Sequence, residues 1–158
     1  MINYDGRKLL STIIMTEENV AALYKDLSEK VNDTSAKKVF LNLSEDEEKH
    51  KNMYTNILSK LPNGGKVDLT EDEVEYTELL INTNIFTNGK VKSRYLKSDA
   101  LVMAEKIERD SILFYTQLKR LFPDVAKDEM EIILKEEKKH LKKVTDFQLD
   151  MITHSLGL

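Results

Sequence analysis

Cysteine is absent from these 158 residues. That one lack removes disulfides, thiolate zinc sites and iron–sulfur or rubredoxin-type centres from the chemistry open to them. Tryptophan is also absent, aromatics are few, and only two prolines and five glycines are present to interrupt a helix. With a charged fraction of 33%, this composition suits an all-helical fold with a substantial core. No basic excess exists: the net charge of −4 is mild and dispersed, leaving no footprint for nucleic acid and no polybasic membrane patch. No apolar run approaches the length of a membrane span. The opening MINYDGRKLLSTIIMTEENV lacks the charged-then-apolar layout of a signal peptide, since its apolar residues are periodic and Glu17 and Glu18 interrupt them. A cytoplasmic location without nucleic-acid or membrane partners is the expectation.

What is present is helical periodicity with a repeated fault in it. One stripe reads Phe40, Leu43, Glu47, His50, Tyr54, Ile57, Leu61, and another Met130, Ile133, Glu137, His140, Val144, Phe147, Met151. Both advance in steps of three and four, as a core-facing helix does. Each carries a Glu-x-x-His step where an apolar pair would pack. A carboxylate and an imidazole are costly to bury unless paired or metal-bound. Two further stripes, Leu10, Ile13, Glu17, Val20, Tyr24, Leu27, Val31 and Leu101, Ala104, Glu108, Ile112, Tyr115, Leu118, Phe122, each place one Glu in a core slot. Glu105 flanks Glu108 one turn earlier. One inward Glu from each of two helices, with a Glu-x-x-His from each of two others, is the set that di-iron and di-manganese carboxylate bundles use.

The order of these features repeats. Glu17 precedes its Glu-x-x-His by about 30 residues and Glu108 precedes its own by nearly the same interval; EENVAALYKDL aligns with ERDSILFYTQL, and EDEEKH with KEEKKH. The chain reads as two copies of one helical hairpin, with pseudo-twofold symmetry. That symmetry is expected to make the two motifs face each other, with His50 and His140 at opposite ends of one metal pair.

The organisation expected is a single domain over 1–158, all-α, an antiparallel four-helix bundle with no sheet of any size. Helices are expected at about 5–32, 35–61, 98–122 and 123–155, with a long crossover at 62–97. Asp33 or Ser35 caps the second helix, the breaker Pro62 to Gly65 ends it, and Ser98 caps the third. Pro123 suits the first turn of the fourth. Within the crossover, TEDEVEYTELL suggests a short helix with a Thr70/Glu73 capping box. Asn88-Gly89 marks a turn, and Ile85, Phe86, Tyr95 and Leu96 are apolar enough to pack on the bundle.

With these residues in view, the chain resembles the rubrerythrin branch of the ferritin-like superfamily over almost its whole length. The matching residues are Glu17, Glu47 with His50, Glu105 with Glu108, and Glu137 with His140. The resemblance implies a ferritin-like bundle in which they bind two metal ions, usually iron. The family's second inward helix carries two glutamates three apart, as Glu105 and Glu108 stand. Tyr24 and Tyr115, each seven residues past an inward Glu, match tyrosines that the family sets beside its carboxylates, and equally suit ordinary core packing. His154 continues the last stripe but reads as a helix-end residue. One departure is clear: full-length rubrerythrins carry a rubredoxin domain, and these residues contain none.

Five carboxylates suit hard cations and two imidazoles add borderline character, favouring iron or manganese, with zinc able to take the same site. The resemblance implies a diiron oxidoreductase that reduces hydrogen peroxide, and a homodimer is expected. Lacking a rubredoxin domain, it would draw electrons from an external donor such as a rubredoxin-type protein. Reaction with dioxygen as a ferroxidase, or iron binding without turnover, are the alternatives that the same residues leave open.

Overall fold

The computed structural model describes residues 1–31, 33–84 and 97–157. Helix α1 spans Arg7–Lys30 and α2 spans Thr34–Ser59. So short a link between them makes them antiparallel neighbours. Of the two cap candidates Asp33 serves, its carboxylate accepting the Ala36 N–H at 2.6 Å. The breaker works through handedness. After α2, Pro62–Gly65 form a 3-10 turn in which Asn63, Gly64 and Gly65 have φ of 51°, 63° and 84°. That left-handed backbone cannot continue a helix. A Cβ on Gly65 would fall 2.4 Å from Arg7 Cγ, so glycine is required there for space as well as for φ.

The chain then returns to its own beginning. Strand β2, Lys66–Leu69, pairs antiparallel with β1, Ile2–Asp5, in the register Ile2↔Leu69 to Asp5↔Lys66. This two-stranded ribbon is a departure from the sheet-free expectation. Helix α3, Glu71–Thr83, carries the expected capping box between Thr70 and Glu73. Buried polar contacts dock it: Gln117 donates to Thr77 Oγ1 at 2.8 Å and Asn84 donates to Thr16 Oγ1 at 2.7 Å. The Asn88-Gly89 turn and the packing of Ile85, Phe86, Tyr95 and Leu96 lie outside the described residues.

Helix α4 spans Lys97–Leu121 and α5 spans Lys127–Leu156. Two expected end signals fall elsewhere. Ser98 is inside the first turn of α4 and not its cap, and Pro123 sits in the α4–α5 turn and not in α5. The second shift has a local cause. Ala126, just before α5, is left-handed at φ 46°, so the helix starts only after it.

The all-α bundle encloses two apolar clusters. One gathers Leu9, Leu10, Ile13, Tyr54, Tyr115 and Ile133, and closes against the ribbon and α3 through Tyr4, Leu69, Leu80 and Ile81. The other gathers Val20, Tyr24, Leu27, Phe40, Leu43, Leu101, Ala104 and Val144. On every long helix a glutamate falls between them: Glu17 between Ile13 and Val20, Glu47 between Leu43 and Tyr54, Glu108 between Ala104 and Tyr115, Glu137 between Ile133 and Val144.

Candidate metal centre

Glu17, Glu47, Glu108, Glu137, His50 and His140 are all buried, none exposed above 2%. Their side chains converge. Glu17, Glu47, His50 and Glu137 form one set, and Glu47, Glu108, Glu137 and His140 another, each with potential ligand atoms within 4.8 Å of one another. Glu47 and Glu137, the motif glutamates, belong to both sets. Each set then has one histidine and one single glutamate of its own, as the internal repeat implies.

The two motifs face each other. The His50 and His140 rings stack 5.7 Å apart at 27°. They are thus side by side, each in its own set. A twofold relating the two hairpins brings α2 and α5 together, so the histidines they carry become neighbours.

Both histidines direct Nδ1 into the carboxylates. His50 Nδ1 lies 2.6 Å from Glu137 Oε1 and 3.0 Å from Glu47 Oε2. His140 Nδ1 lies 2.9 Å from Glu47 Oε1 and 3.6 Å from Glu108 Oε2. Burial disfavours both imidazolium ions, but close contacts with Glu137 and Glu47 outweigh it at His50 and raise its pKa to about 10. At His140 burial is outweighed by Glu108 and Glu47, to about 11. Burial pushes the Glu17 carboxyl far up, reinforced by the Glu47 and Glu137 charges. Glu137 is pushed up in the same way, by burial and then Glu47. Glu47 goes the other way: burial raises it, and close contacts with His140 and His50 more than reverse that.

Even so, the cluster is not self-satisfied. Glu17 Oε1, Glu47 Oε1, Glu108 Oε2, both Glu137 oxygens and His140 Nδ1 are buried without a hydrogen bond of acceptable geometry. Several of these atoms are close to an opposite charge, but buried polar atoms normally have well-directed hydrogen bonds, and a pair of ions would supply the partners that this cluster lacks. Four carboxylates and two imidazoles suit iron, manganese or zinc, so the residues fit a pair of such ions.

Glu105 is the expected ligand that the structure does not bring into the cluster. It lies at the edge of the inward face of α4, partly exposed, where Oε1 accepts from Arg109 Nε and Nη2 at 3.0 and 2.9 Å. There it lines an open groove with Leu101, Val102, Leu149 and Ile152. The two tyrosines part company. Tyr24 donates its hydroxyl to Glu108 Oε1, whereas Tyr115 has no hydrogen-bond partner and stacks on Tyr54 at 5.0 Å. His154 is exposed at the end of α5 and contacts the Asp150 carbonyl.

Two residues near the centre were passed over in the sequence. Glu136 meets His50 Nε2 at 2.8 Å, and Asp46 meets His140 Nε2 at 3.4 Å. A signal for them existed in the repeat, because both motifs read acid-Glu-x-x-His. Their half-exposed positions beside the stripe gave the periodicity no reason to single them out.

Comparison with known proteins agrees with this picture. The family model described as Rubrerythrin matches residues 8–147. The crystal structure of a Thermotoga maritima protein, provisionally described as a ferritin-like diiron-carboxylate protein, has a TM-score of 0.71 and 22% identity, over 96% of this chain and 99% of its own. At that identity the likeness establishes the shared fold. No curated protein sequence matches the chain.

Proposed function

Because this chain belongs to the rubrerythrin family, we propose that it is a non-haem diiron oxidoreductase that reduces hydrogen peroxide with electrons from an external donor. The observation that carries the reading is the pair of overlapping four-residue sets sharing Glu47 and Glu137. Two shared carboxylates, plus one Glu and one His for each position, are what two adjacent cations need. Glu17 and His50 would serve one ion, Glu108 and His140 the other, and Glu47 and Glu137 both. Glu105 would join only by leaving Arg109.

When bound, two iron ions supply the two electrons that, with two protons, convert one peroxide to two waters. The chain's own residues do the rest. Tyr24 holds Glu108 through its hydroxyl and fixes that carboxylate's orientation. Burial favours the protonated forms of Glu17 and Glu137, and the carboxylates around the two histidines favour imidazolium, so bound ions would take the place of protons in this cluster. The apolar clusters on either side exclude water from the reacting groups.

The reading extends to a cytoplasmic homodimer served by a rubredoxin-type or small-molecule donor. The lack of cysteine supports the external donor, since no thiolate-bound iron relay can be built from these residues. No helix among the described residues is long and apolar enough to cross a membrane.

The test is anaerobic loading with ferrous iron, then stopped-flow mixing with hydrogen peroxide and, separately, with dioxygen. Faster oxidation by peroxide, with turnover only when a donor is added, is expected. Faster oxidation by dioxygen would replace this reading with a ferroxidase. A loaded site inert to both oxidants would make the protein an iron binder.

A further inference from the structure

Just outside the carboxylate cluster, one contact is made twice. The residue before each motif glutamate is acidic, Asp46 on α2 and Glu136 on α5. Neither serves the histidine of its own helix. Glu136 reaches across to Nε2 of His50, and Asp46 reaches back to Nε2 of His140. Each ring is therefore anchored by backbone on one helix and by an acid on the other. With Nε2 engaged in this way, each ring keeps Nδ1 turned toward the buried glutamates.

The two contacts differ in strength. Glu136 stands at 2.8 Å, a full hydrogen bond. Asp46, one methylene shorter, stands at 3.4 Å and shares its charge with Lys49 at 2.8 Å. A carboxylate on the far nitrogen of a metal-binding imidazole fixes the ring and raises its basicity as a ligand. His50 receives more of both effects. Tyr24 acts in the same direction, since its hydrogen bond draws charge from Glu108, which belongs only to the His140 set.

Resting on the dinuclear reading above, we propose that Asp46 and Glu136 are reciprocal positioning residues for the two histidines, and that their inequality makes the His50 position the tighter of the two. The site is symmetric in its ligands and asymmetric in what holds them.

Anaerobic calorimetric titration with cobalt(II), followed in parallel by the visible absorption of the bound ion, tests this. Wild-type protein should take up two ions in two resolved steps. Glu136→Ala should weaken the tighter step by roughly 10- to 100-fold and leave the other in place. Glu136→Gln, which keeps an acceptor for Nε2–H, should recover part of that loss. Asp46→Ala should act on the weaker step, and by less. Asp46→Glu should bring the two steps together. Glu48→Gln, which removes a charge on the same turn without facing either histidine, should change neither step.

Both acids are partly exposed, with side chains 44% and 29% accessible, so the variants leave the apolar clusters intact. Uptake of two ions with Glu136→Ala unchanged, or with both steps weakened equally, would overturn this inference alone. So would an effect of Glu48→Gln equal to that of Glu136→Ala. Wild-type protein that takes up no cobalt would overturn the dinuclear reading and this inference with it.

Discussion

On one side of the carboxylate layer the bundle is filled by Leu9, Tyr54, Phe114, Tyr115 and Ile133, and sealed by the ribbon and α3. On the other it is filled by Tyr24, Leu27, Phe40 and Leu43, together with the small residues Ala36, Ala100 and Ala104. The repeat puts Tyr24 and Tyr115 in equivalent places, yet they end differently. Tyr24 tilts over Phe40 and reaches Glu108. Tyr115 stacks on Tyr54, and both of those hydroxyls are left buried without a partner. The difference traces to one position, four residues past each motif histidine: Tyr54 on α2, Val144 on α5. A ring on one side finds a stacking partner, while on the other a small aliphatic leaves the phenol to the carboxylate. Duplicated helices thus supply the same ligands to a centre whose two flanks are chemically distinct.

Metal content should break this comparison most strongly. Glu47→Ala and Glu137→Ala remove a residue common to both sets, so each should lose nearly all bound metal. Glu17→Ala and Glu108→Ala remove a residue from one set only and should retain about one ion per chain. Elemental analysis after anaerobic loading and desalting measures this. Equal losses from all four variants would show that the two positions fill only together.

Loading should then act on the layer that both flanks share. Buried carboxylates that repel one another are relieved by cations bound to the folded state alone. At free metal 100 times Kd the gain is about 2.7 kcal/mol per site, which is a rise of about 5–10 °C in Tm for a chain this size. Scanning calorimetry with and without metal reads it directly. Midpoints that coincide at saturating metal would contradict the metal reading.

The smallest and most local effect separates the two tyrosines. Tyr24→Phe leaves the Glu108 carboxylate without its donor and should cost about 1–3 kcal/mol in urea unfolding of the metal-free protein. Tyr54→Phe removes a hydroxyl that has no partner and keeps the stacked ring, so stability should hold or rise slightly. Equal costs would mean that the Tyr54 hydroxyl finds a partner in solution.

Much of this was legible along the chain because a helix converts spacing into direction. Residues three and four apart share a face, which is enough to aim Glu17, Glu47, His50, Glu108, Glu137 and His140 inward and to mark them as misfits in an apolar stripe. Local chemistry likewise set the Asp33 cap, the Thr70/Glu73 capping box and the stop at Pro62–Gly65, since each is decided within a few residues.

What the tertiary structure alone decided concerns groups whose partners lie far off in sequence or whose angle falls between faces. The ribbon pairs Ile2 with Leu69, and neither four-residue strand carries a period long enough to read. Glu105 stands near the edge of the inward face, where spacing cannot choose between the cluster and Arg109, one turn on. Asp46 and Glu136 gain their targets only because α2 and α5 lie side by side and bring each acid to the other helix's histidine. Tyr24 and Tyr115 suited two roles equally, and Tyr115 takes the packing one, with Tyr54 from another helix stacked on it. Periodicity fixes which way a side chain points from its own axis; only the packing of the axes fixes what it meets.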